Sequence, residues 1–218
     1  MSQDGAGSGA ATGTTPRGAT GEGGDAGARR DPQFESVLDA AAGCYLRFGV
    51  DKTTAVDIAK AAGISRATLY RRYGSHEAIF LAVLTRESEA MMLDSERHLA
   101  HITDPAERIV EGMLFAIGEI TRRPVHAAVF TTDSAGWAAT KALRVDALRR
   151  LGESGIRPML AHAGDSVPEQ TIDDLVDWML RILISYAALP GPADLEPDDM
   201  RRQLRTLFLP ALGGLLEG

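Results

Sequence analysis

The sequence predicts an all-α protein of about nine helices, and three observations carry that prediction. After residue 30, apolar residues recur at three- and four-residue spacing, which is the period of a helix that buries one face. Almost no segment alternates apolar and polar residues as strands do. Patterns typical of helix starts, such as Thr54-x-x-Asp57 and Asp104-Pro105-Ala106-Glu107, recur along the chain. We expect helices near residues 32–48, 54–62, 66–73, 75–100, 105–122, 124–131, 136–163, 168–189 and 198–216.

The composition is typical of a soluble globular protein. Of the 218 residues, 44% are hydrophobic and 24% are charged. Cys44 is the one cysteine, which excludes an internal disulfide. The most apolar runs, residues 113–120 and 182–189, are far shorter than the ~20 residues of a membrane-spanning helix. The first 30 residues also lack the apolar core of a secretory signal, so we expect a cytoplasmic protein with no membrane partner.

Residues 1–30 are expected to form a disordered tail rich in Gly, Ala and Thr. Gly, Ala, Ser and Thr make up 21 of these residues, and no Val, Ile, Leu, Phe, Tyr or Trp occurs among them. Such a segment buries too little apolar surface to offset the entropy that ordering costs. The alternative is a DNA-binding arm, for which only Arg29 and Arg30 lie next to the predicted helices.

The first predicted helix buries one apolar face and ends at a glycine. The face consists of Phe34, Val37, Leu38, Ala41, Tyr45 and Phe48. Gly49 follows, and glycine readily adopts the left-handed conformation that ends a helix. Cys44 borders this face, so we expect a buried and unreactive thiol.

Residues 54–77, TAVDIAKAAGISRATLYRRYGSHE, form the most specific pattern in the chain. A short helix over residues 54–62 meets Gly63-Ile64-Ser65, and a second short helix begins at Arg66. Two short helices joined by a tight, glycine-containing turn are typical of the helix-turn-helix motif.

The charge of this segment differs from that of the rest of the chain. No acidic residue lies between Asp57 and Glu77, whereas four basic residues do. Residues 31–76 carry a net charge of +1 and residues 77–218 carry −8. A locally basic surface on an acidic protein indicates attraction to a polyanion at that surface alone.

Helical geometry at about 100° per residue assigns the faces of the second short helix. With Leu69 facing the core, Ala67 and Arg71 lie about 160° and about 200° away and point outward. A small residue lets the backbone approach a groove, and an arginine can donate two hydrogen bonds to guanine O6 and N7. The residues at positions suited to phosphate contacts are Thr68, Tyr70 and Arg72.

This segment resembles the DNA-binding region of the TetR family of bacterial transcriptional repressors. The match runs from about Phe34 to Leu84. The matching residues are Gly49, Thr53-Thr54, Ile58-Ala59, Ala62-Gly63-Ile64-Ser65, Thr68-Leu69-Tyr70, Tyr73, Ser75 and Glu77. The resemblance implies an N-terminal three-helix DNA-binding domain over residues 31–76. It also implies a larger helical C-terminal domain over residues 77–218, which holds a small-molecule inducer and the homodimer interface.

The resemblance further implies which residues face double-stranded operator DNA. At the matched positions these are Thr54, Arg66, Ala67, Thr68, Tyr70, Arg71 and Arg72. His76 stands where the family usually has a lysine that contacts a phosphate. An unperturbed histidine is mostly neutral at pH 7, so we expect this contact to be weaker or pH-sensitive. Ala67 and Arg72 also depart from the common family residues, which bears on the operator that is read.

The last two predicted helices, residues 168–189 and 198–216, are apolar on more than one side. In the first, Leu183 belongs to a strict three-four stripe, and Trp178, Ile182 and Tyr186 add apolar surface elsewhere. A helix that is apolar beyond one stripe needs more than one partner. Two such helices from each of two chains would make the four-helix interface that the resemblance implies. We expect a homodimer through these two helices, with Leu183 and Leu212 in contact between chains, because a palindromic operator mirrors a two-fold protein. The alternative is the core of a monomer. Pro210 should kink the last helix.

Residues 109–120 are expected to form a wall of the inducer pocket. They are apolar nearly all round, and Gly112 and Gly118 leave gaps that side chains would otherwise fill. A mostly apolar pocket with few polar groups suits a small apolar inducer. The candidate lining residues are Met91, Met92, Met113, Phe115, Gly118, Phe130 and Trp137.

Two other functions are weaker alternatives. For an α-helical enzyme the chain offers no G-x-S-x-G, no P-loop and no dinucleotide fingerprint, so we expect no catalytic residues and no cofactor. A metal-responsive regulator is the second alternative, because Asp94, His98 and His101 share one predicted helix face, with His126 or His162 as a further ligand. Exposed or hydrogen-bonded histidines are more common than metal ligands, so we predict no metal site.

Overall fold

From Asp31 onward, the computed structural model of the chain is a succession of helices. It describes residues 31–130, 136, 141, 143, 146–160, 167–188 and 196–216, and these contain no strand. The predicted tail over residues 1–30 and much of the predicted helix over residues 136–163 lie outside the described residues. The helices are α1 (Pro32–Phe48), α2 (Ala55–Ala61), α3 (Arg66–Tyr73), α4 (His76–Leu99), α5 (Pro105–Arg122), α6 (Pro124–Phe130), α7 (Asp146–Leu160), α8 (Glu169–Ala188), α9 (Pro197–Gln203) and α10 (Leu209–Leu216). The predicted all-α fold is thus confirmed.

Side-chain caps explain where several helices begin. The carboxylate of Asp31 accepts a hydrogen bond from the Gln33 N–H at 3.0 Å. The carboxylate of Asp104 likewise accepts from the Glu107 N–H at 2.8 Å, and Pro105 fills the first helical position of α5. Each cap satisfies a backbone donor that has no partner within the helix.

A π-helical turn, Leu204–Phe208, joins α9 to α10, and Pro210 is the second residue of α10. The Leu209 N–H donates to the Leu204 carbonyl, five residues earlier. Proline has no N–H to donate and its ring crowds the carbonyl four residues before it, so the regular α-helical pattern is interrupted here. The helix predicted over residues 198–216 is therefore present, with the irregularity on the N-terminal side of Pro210.

Two clusters of buried apolar side chains hold the helices together. The first unites α1 to α4 with parts of α6, and its most buried members include Tyr45, Leu69 and Phe80. The second lies between α5, α7, α8 and the π-helical turn, around Met113 and Phe208. The N-terminal half of α4 belongs to the first cluster, and the described residues from Asp31 onward form one compact unit. A domain boundary between residues 76 and 77 stays a prediction.

Ion pairs fasten α4 to α1. The Arg86 guanidinium, whose side chain is 17% exposed, donates to Glu35 at 3.1 Å and to Asp39 at 2.8 Å. It also pairs with Glu87 of its own helix at 3.2 Å. This cluster fixes the orientation of α4 relative to α1. Over the described ranges, no helix has both the length and the apolar character needed to cross a membrane.

Candidate DNA-binding surface and ligand cavity

The first helix of the motif, α2, begins with a reciprocal capping arrangement. The Asp57 N–H donates to the Thr54 hydroxyl oxygen at 3.3 Å, and the Thr54 N–H donates to the Asp57 carboxylate at 2.9 Å. The Thr54 hydroxyl also donates to that carboxylate at 2.6 Å. These hydrogen bonds, led by that of the Thr54 hydroxyl, hold the pKa of Asp57 below its usual value. Thr54 therefore fixes the start of α2 and is exposed, as a residue predicted to face DNA should be.

The turn between α2 and α3 requires glycine. Gly63 has φ of +67°, in the left-handed region that other residues rarely adopt. Ser65 then caps α3, because its hydroxyl accepts from the Thr68 N–H at 3.1 Å and shares a hydrogen bond with the Thr68 hydroxyl at 2.9 Å. The helix ends at Gly74, which also has a positive φ, +80°. These features confirm the helix-turn-helix pattern.

One face of α3 is buried and the opposite face is open. Leu69 has no exposed surface and packs into the first apolar cluster. Tyr73 stacks on Phe34 of α1, with ring centroids 5.2 Å apart. Ala67 and Arg71 are exposed on the opposite side, as the angular analysis predicts. The outward face of α3 is therefore small at its N-terminal end and cationic further along.

The other arginines of α3 make intramolecular contacts at the margins of this face. The Arg66 guanidinium lies over the Tyr70 ring, 5.3 Å from its centroid, which is a cation–π geometry. Arg72 donates a hydrogen bond to the Gln33 side chain of α1. All three residues are exposed, and Thr68 is half-buried. The predicted DNA-contacting residues of α3 thus occupy all its positions other than Leu69 and Tyr73, and we call residues 66–68 and 70–72 the α3 face. Their contact with DNA stays a prediction.

His76 is more enclosed than the rest of the predicted DNA-contacting set. Its ring meets the Tyr45 ring edge-on, with centroids 5.8 Å apart. Its Nε2 atom is buried and has no hydrogen-bond partner among the described residues. Burial lowers the pKa of His76 below its usual value, which favours a neutral ring at pH 7. A weaker phosphate contact at this position stays a prediction.

A second feature is a cavity of about 170 Å³ between α4, α5, α6, α7 and α8. The lining includes Met91, Met92, Met113, Phe115 and Phe130, all five of which the sequence predicts. Gly118 is not among the lining residues, because its missing Cβ would point at the Arg122 guanidinium. Trp137 lies outside the described residues. The prediction that Gly118 lines the cavity was wrong. Gly112 does line it, and Gly118, six residues further along α5, lies about 240° around the helix from Gly112.

Glycines of α7 form the wall opposite α4, and the sequence analysis missed them. A Cβ on Gly155 would lie 3.5 Å from the Met92 methyl group, and one on Gly152 would come within 2.7 Å of the Val176 side chain. The three-residue spacing of these glycines, which puts both on one side of a helix, is the signal that could have identified them.

The polar groups in the cavity lining are few. Ser88 and His126 meet inside it, with the Ser88 Oγ atom 3.2 Å from the His126 Nε2 atom. Only 1% of His126 is exposed, and its Nδ1 atom has no partner among the described residues. Burial, and then the charge of Arg123, lowers the pKa of His126 to about 4, so its ring is neutral at pH 7. Glu96 and Arg108 also line the cavity, nearer to the solvent.

The outer side of α8 exposes apolar surface. Trp178 is 41% exposed and packs on the Phe208 ring at 4.9 Å, and Leu207 is 74% exposed. Together with the half-buried Ile182, Tyr186 and Gln203 and the buried Leu204 and Phe208, the Trp178 and Leu207 side chains line a shallow groove between α8 and the π-helical turn, which we call the outer face. Leu183 and Leu212, the residues expected between chains, face inward instead: Leu183 lines the cavity, and Leu212 is 2% exposed in the second apolar cluster. Their assignment to a contact between chains was wrong, because the regular three-four stripe of each helix packs within the chain.

The residues of the metal alternative do not converge where the structure describes them. His98 and His101 have ring centroids 6.4 Å apart, and His98 stacks on Phe115 at 4.9 Å. The Asp94 carboxylate accepts hydrogen bonds from Arg97 and Arg123, each at 2.5 Å. No group of three or more potential metal ligands occurs in the described part of the chain. His162 lies outside it.

A helix-turn-helix with an exposed cationic second helix defines a class of DNA-binding regulators, and sequence comparison agrees. Residues 37–83 match the family model described as bacterial regulatory proteins, tetR family. This match covers the helix-turn-helix region of the chain and supports its likeness to the TetR family. It is similar to an uncharacterized HTH-type transcriptional regulator of Mycobacterium tuberculosis, at 29% identity over 75% of this chain and 78% of that protein. An uncharacterized HTH-type transcriptional regulator of Mycobacterium bovis is 41% identical over 26% of this chain and 30% of that protein. These relatives are transcriptional regulators and not enzymes.

Solved structures share the fold. One is the TetR family repressor AlkX from Dietzia sp., described as implicated in biodegradation of n-alkanes, with a TM-score of 0.60 and 23% identity over 87% of this chain and all of that one. Another is RolR in complex with its ligand resorcinol, with a TM-score of 0.61 and 18% identity over 84% of this chain and 92% of that one. At these identities the likeness shows the fold alone: an N-terminal helix-turn-helix region followed by a helical C-terminal domain.

Proposed function

We propose that this regulator is a repressor that acts in the cytoplasm, binds a palindromic operator as a homodimer and is released by a small, largely apolar inducer. The observation that carries the proposal is the α3 face. Its outward residues combine a small side chain, Ala67, with the exposed guanidinium of Arg71, beside the exposed Arg66 and Arg72. A helix of this kind fits the major groove, where arginine can read guanine.

The outer face of α8 supports the homodimer. An exposed cluster that includes a tryptophan and a leucine exposed to 74% is costly in water unless another surface covers it. A second copy of the chain, related by a two-fold axis, would cover it with the same cluster. Two motifs related by that axis match a palindromic DNA site.

The cavity supports the inducer. Its lining is dominated by leucine, isoleucine, methionine and phenylalanine side chains, with few polar groups. Such pockets bind small, mostly apolar molecules. The descriptions of AlkX and RolR connect those two proteins with n-alkanes and resorcinol, which are small organic molecules, and we extend the same class to this chain.

Selection from a random duplex library with the purified full-length chain tests the DNA-binding proposal. We expect the enriched duplexes to contain inverted repeats, and each to bind one or two dimers. Scrambling one half-site should weaken binding strongly, because only one α3 face then contacts its bases. Enrichment of sequences without two-fold symmetry, or binding by a monomer, would contradict it.

Titration of the preformed complex with a panel of small apolar compounds tests the inducer. Fluorescence anisotropy of a labelled operator reports release directly. At least one compound should release the DNA, and buffer salts and charged metabolites of similar size should not. If nothing in the panel lowers the operator affinity, the ligand role of the cavity is wrong.

A further inference from the structure

The cavity follows one side of α4 for about four helical turns. Its lining on this helix begins at Leu84 and ends at Leu99. The lining residues between these two lie on the same side of the helix, and they are Ser88, Met91, Met92, Ser95 and Glu96. At ~1.5 Å per residue, the stretch from Leu84 to Leu99 extends ~22 Å.

The opposite wall follows α4 in the reverse chain direction, first on α5 and then on α6. Near one end, the Arg108 guanidinium of α5 donates to the Leu99 carbonyl at 2.5 Å. Near the other end, the His126 Nε2 atom of α6 lies 3.2 Å from the Ser88 Oγ atom. All four residues belong to the lining, and the α4 backbone separates the two contacts by ~16 Å. The cavity is therefore elongated along α4.

The two ends of the cavity differ in polarity and exposure. At the inner end, Leu84 and Phe130 are 1% and 4% exposed and belong to the first apolar cluster. At the outer end, the Arg108 guanidinium pairs with Glu96, whose side chain is 49% exposed, and the half-buried Ser95 lies nearby on α4. The inner end therefore favours the apolar part of a ligand, and the outer end leaves a polar group in contact with water.

The volume of the cavity is small for this length. At about 170 Å³ it is close to the ~150 Å³ of an engineered apolar cavity that holds a single benzene ring. A ring occupies such a volume within a short distance, whereas here the lining distributes it along several turns of α4. An unbranched alkyl chain has the matching shape, because it is long and thin. Methionine side chains such as Met91, Met92 and Met113 adapt readily to such a chain.

Building on the inducer role proposed for the cavity, we propose that its ligand carries an unbranched alkyl chain that lies along α4. The chain ends near Leu84 and Phe130, and its polar group lies at the outer end. Each methylene that moves from water into the lining raises the affinity ~fourfold. A ring with the same number of carbons cannot extend along α4 and leaves part of the lining uncovered. Linear alcohols from hexanol to decanol are the simplest probes.

Octanol and cyclooctanol, which have equal numbers of carbons, test the shape of the ligand. Calorimetric titration of the purified full chain gives both affinities, and each is corrected for the free energy of transferring that alcohol from water to hydrocarbon. Octanol should then bind about tenfold more tightly, because the ring leaves the lining for roughly two methylenes uncovered. Equal corrected affinities, or a preference for the ring, overturn the inference without any variant.

The same substitution at each end of the cavity tests the direction of the chain. In the series from hexanol to decanol, the gain per methylene should fall once the chain fills the cavity. Phe130→Leu lengthens the inner end, so this fall should occur at a longer alcohol, and Ile120→Val is a second route if Phe130→Leu folds poorly. Phe115→Leu is the matched control, because Phe115 also lines the cavity but stacks on His98, close to the outer end. It should leave the fall at the same alcohol. An equal shift at both ends, or a shift at neither, overturns the inference.

Operator-release titrations with the same alcohols separate this inference from the inducer role. If octanol and cyclooctanol bind alike and both release the DNA, the inducer role stands and the alkyl-chain preference is wrong. If the linear alcohols bind with the expected preference but release no DNA, the preference stands and the inducer role is wrong. If no alcohol binds, the inference is wrong, and the inducer role fails with it when no other compound releases the operator.

Discussion

The arginines at the C-terminal end of α3 are expected to act on DNA in different ways. Arg71 projects from the middle of the open face, whereas Arg72 lies at the margin and donates a hydrogen bond to Gln33. A guanidinium in the middle of the face can reach base edges, and one at the margin is better placed for a phosphate. We therefore expect specificity to depend on Arg71 and general affinity on Arg72.

Replacing Arg71 by Ala is expected to cost ~1–3 kcal/mol of operator binding and to relax the preference at one base pair. Arg72→Ala should weaken binding to all sequences alike and flatten its salt dependence, since fewer counterions are released. Anisotropy titrations on the operator and on a scrambled duplex, at several salt concentrations, distinguish the two effects. Arg122→Ala is the control, because Arg122 is a well-exposed arginine on α5. Equal losses on both duplexes for Arg71→Ala would rule out base reading.

His126 should make the stability of the fold depend on pH. Burial lowers its pKa from 6.5 to about 4, and the nearby Arg123 adds to this while Glu119 opposes it. Between pH 6.5 and pH 4 the unfolded chain binds a proton that the folded chain does not, so stability is lost as the pH falls through this range. Between pH 7.5 and pH 5 the expected loss is roughly 2 kcal/mol.

Urea unfolding of the wild type and of His126→Phe at these two pH values measures that loss. The variant should lose less stability than the wild type on acidification, by about the amount assigned to His126. The other carboxylates and histidines are common to both proteins and cancel in the comparison. An identical pH dependence in the two proteins would show that His126 titrates normally.

At the scale of the elements, α8 has two apolar sides, of which one packs within the chain and the other is partly exposed. Its regular stripe packs inward, and Trp178 lies on its outer side. Apolar spacing in a sequence tells which residues share a side of a helix, but not whether the side meets the same chain or another. For this reason the sequence predicted the helix and its double apolar character, yet assigned Leu183 and Leu212 to the wrong contact.

Replacing Leu207 by Glu should convert the protein to monomers. The substitution places a carboxylate in the centre of the outer face, where a second chain would have to bury it at a cost of several kcal/mol. Multi-angle light scattering gives the mass directly. The matched control is Leu93→Glu on α4, another exposed leucine, which should leave the mass unchanged. A folded Leu207→Glu variant that still sediments as a dimer would place the interface elsewhere.

The DNA-binding motif was easier to predict than the cavity because its residues lie close together in the sequence, whereas those of the cavity do not. The capping pair Thr54 and Asp57, the turn at Gly63 and the faces of α3 depend on residues a few positions apart, so local rules suffice. The cavity brings together residues far apart in the chain, such as Ser88 and His126, 38 positions apart. Composition identified its methionines and phenylalanines but not which glycines face inward.

At the scale of the whole molecule, α4 connects the two features. Two residues, Gly74 and Ser75, separate it from α3, and its 24 residues extend about 36 Å. Its middle and C-terminal turns, from Leu84 to Leu99, contribute to the cavity lining, and Arg86 ties the helix to α1. Suppose the protein has two conformations that differ in where α4 lies, and only one of them binds DNA. A ligand that prefers the other conformation by ~100-fold would then weaken DNA binding by about 2.7 kcal/mol.

Filling the cavity from α7 should separate ligand response from DNA binding. In Gly155→Leu the new side chain starts at an ordinary contact distance from Met92 and extends toward the cavity, which should exclude the inducer. Operator affinity should persist, since α3 is unchanged. The control is Gly118→Leu, because Gly118 is not in the cavity lining and a Cβ there would meet the flexible end of Arg122, so release should stay intact. Operator-release titrations of both variants decide this, and a normal response in Gly155→Leu would contradict the assigned cavity.

The way in which α3 is anchored has a consequence for how such regulators diversify. A single fully buried side chain, Leu69, and one stacked ring, Tyr73, hold the helix, while capping at Ser65 and the positive φ of Gly74 fix its ends. Ala67 and Arg71 are exposed and take no part in this anchoring. Substitutions there can accumulate without loss of the scaffold, so operator preference and fold stability can evolve almost independently of one another.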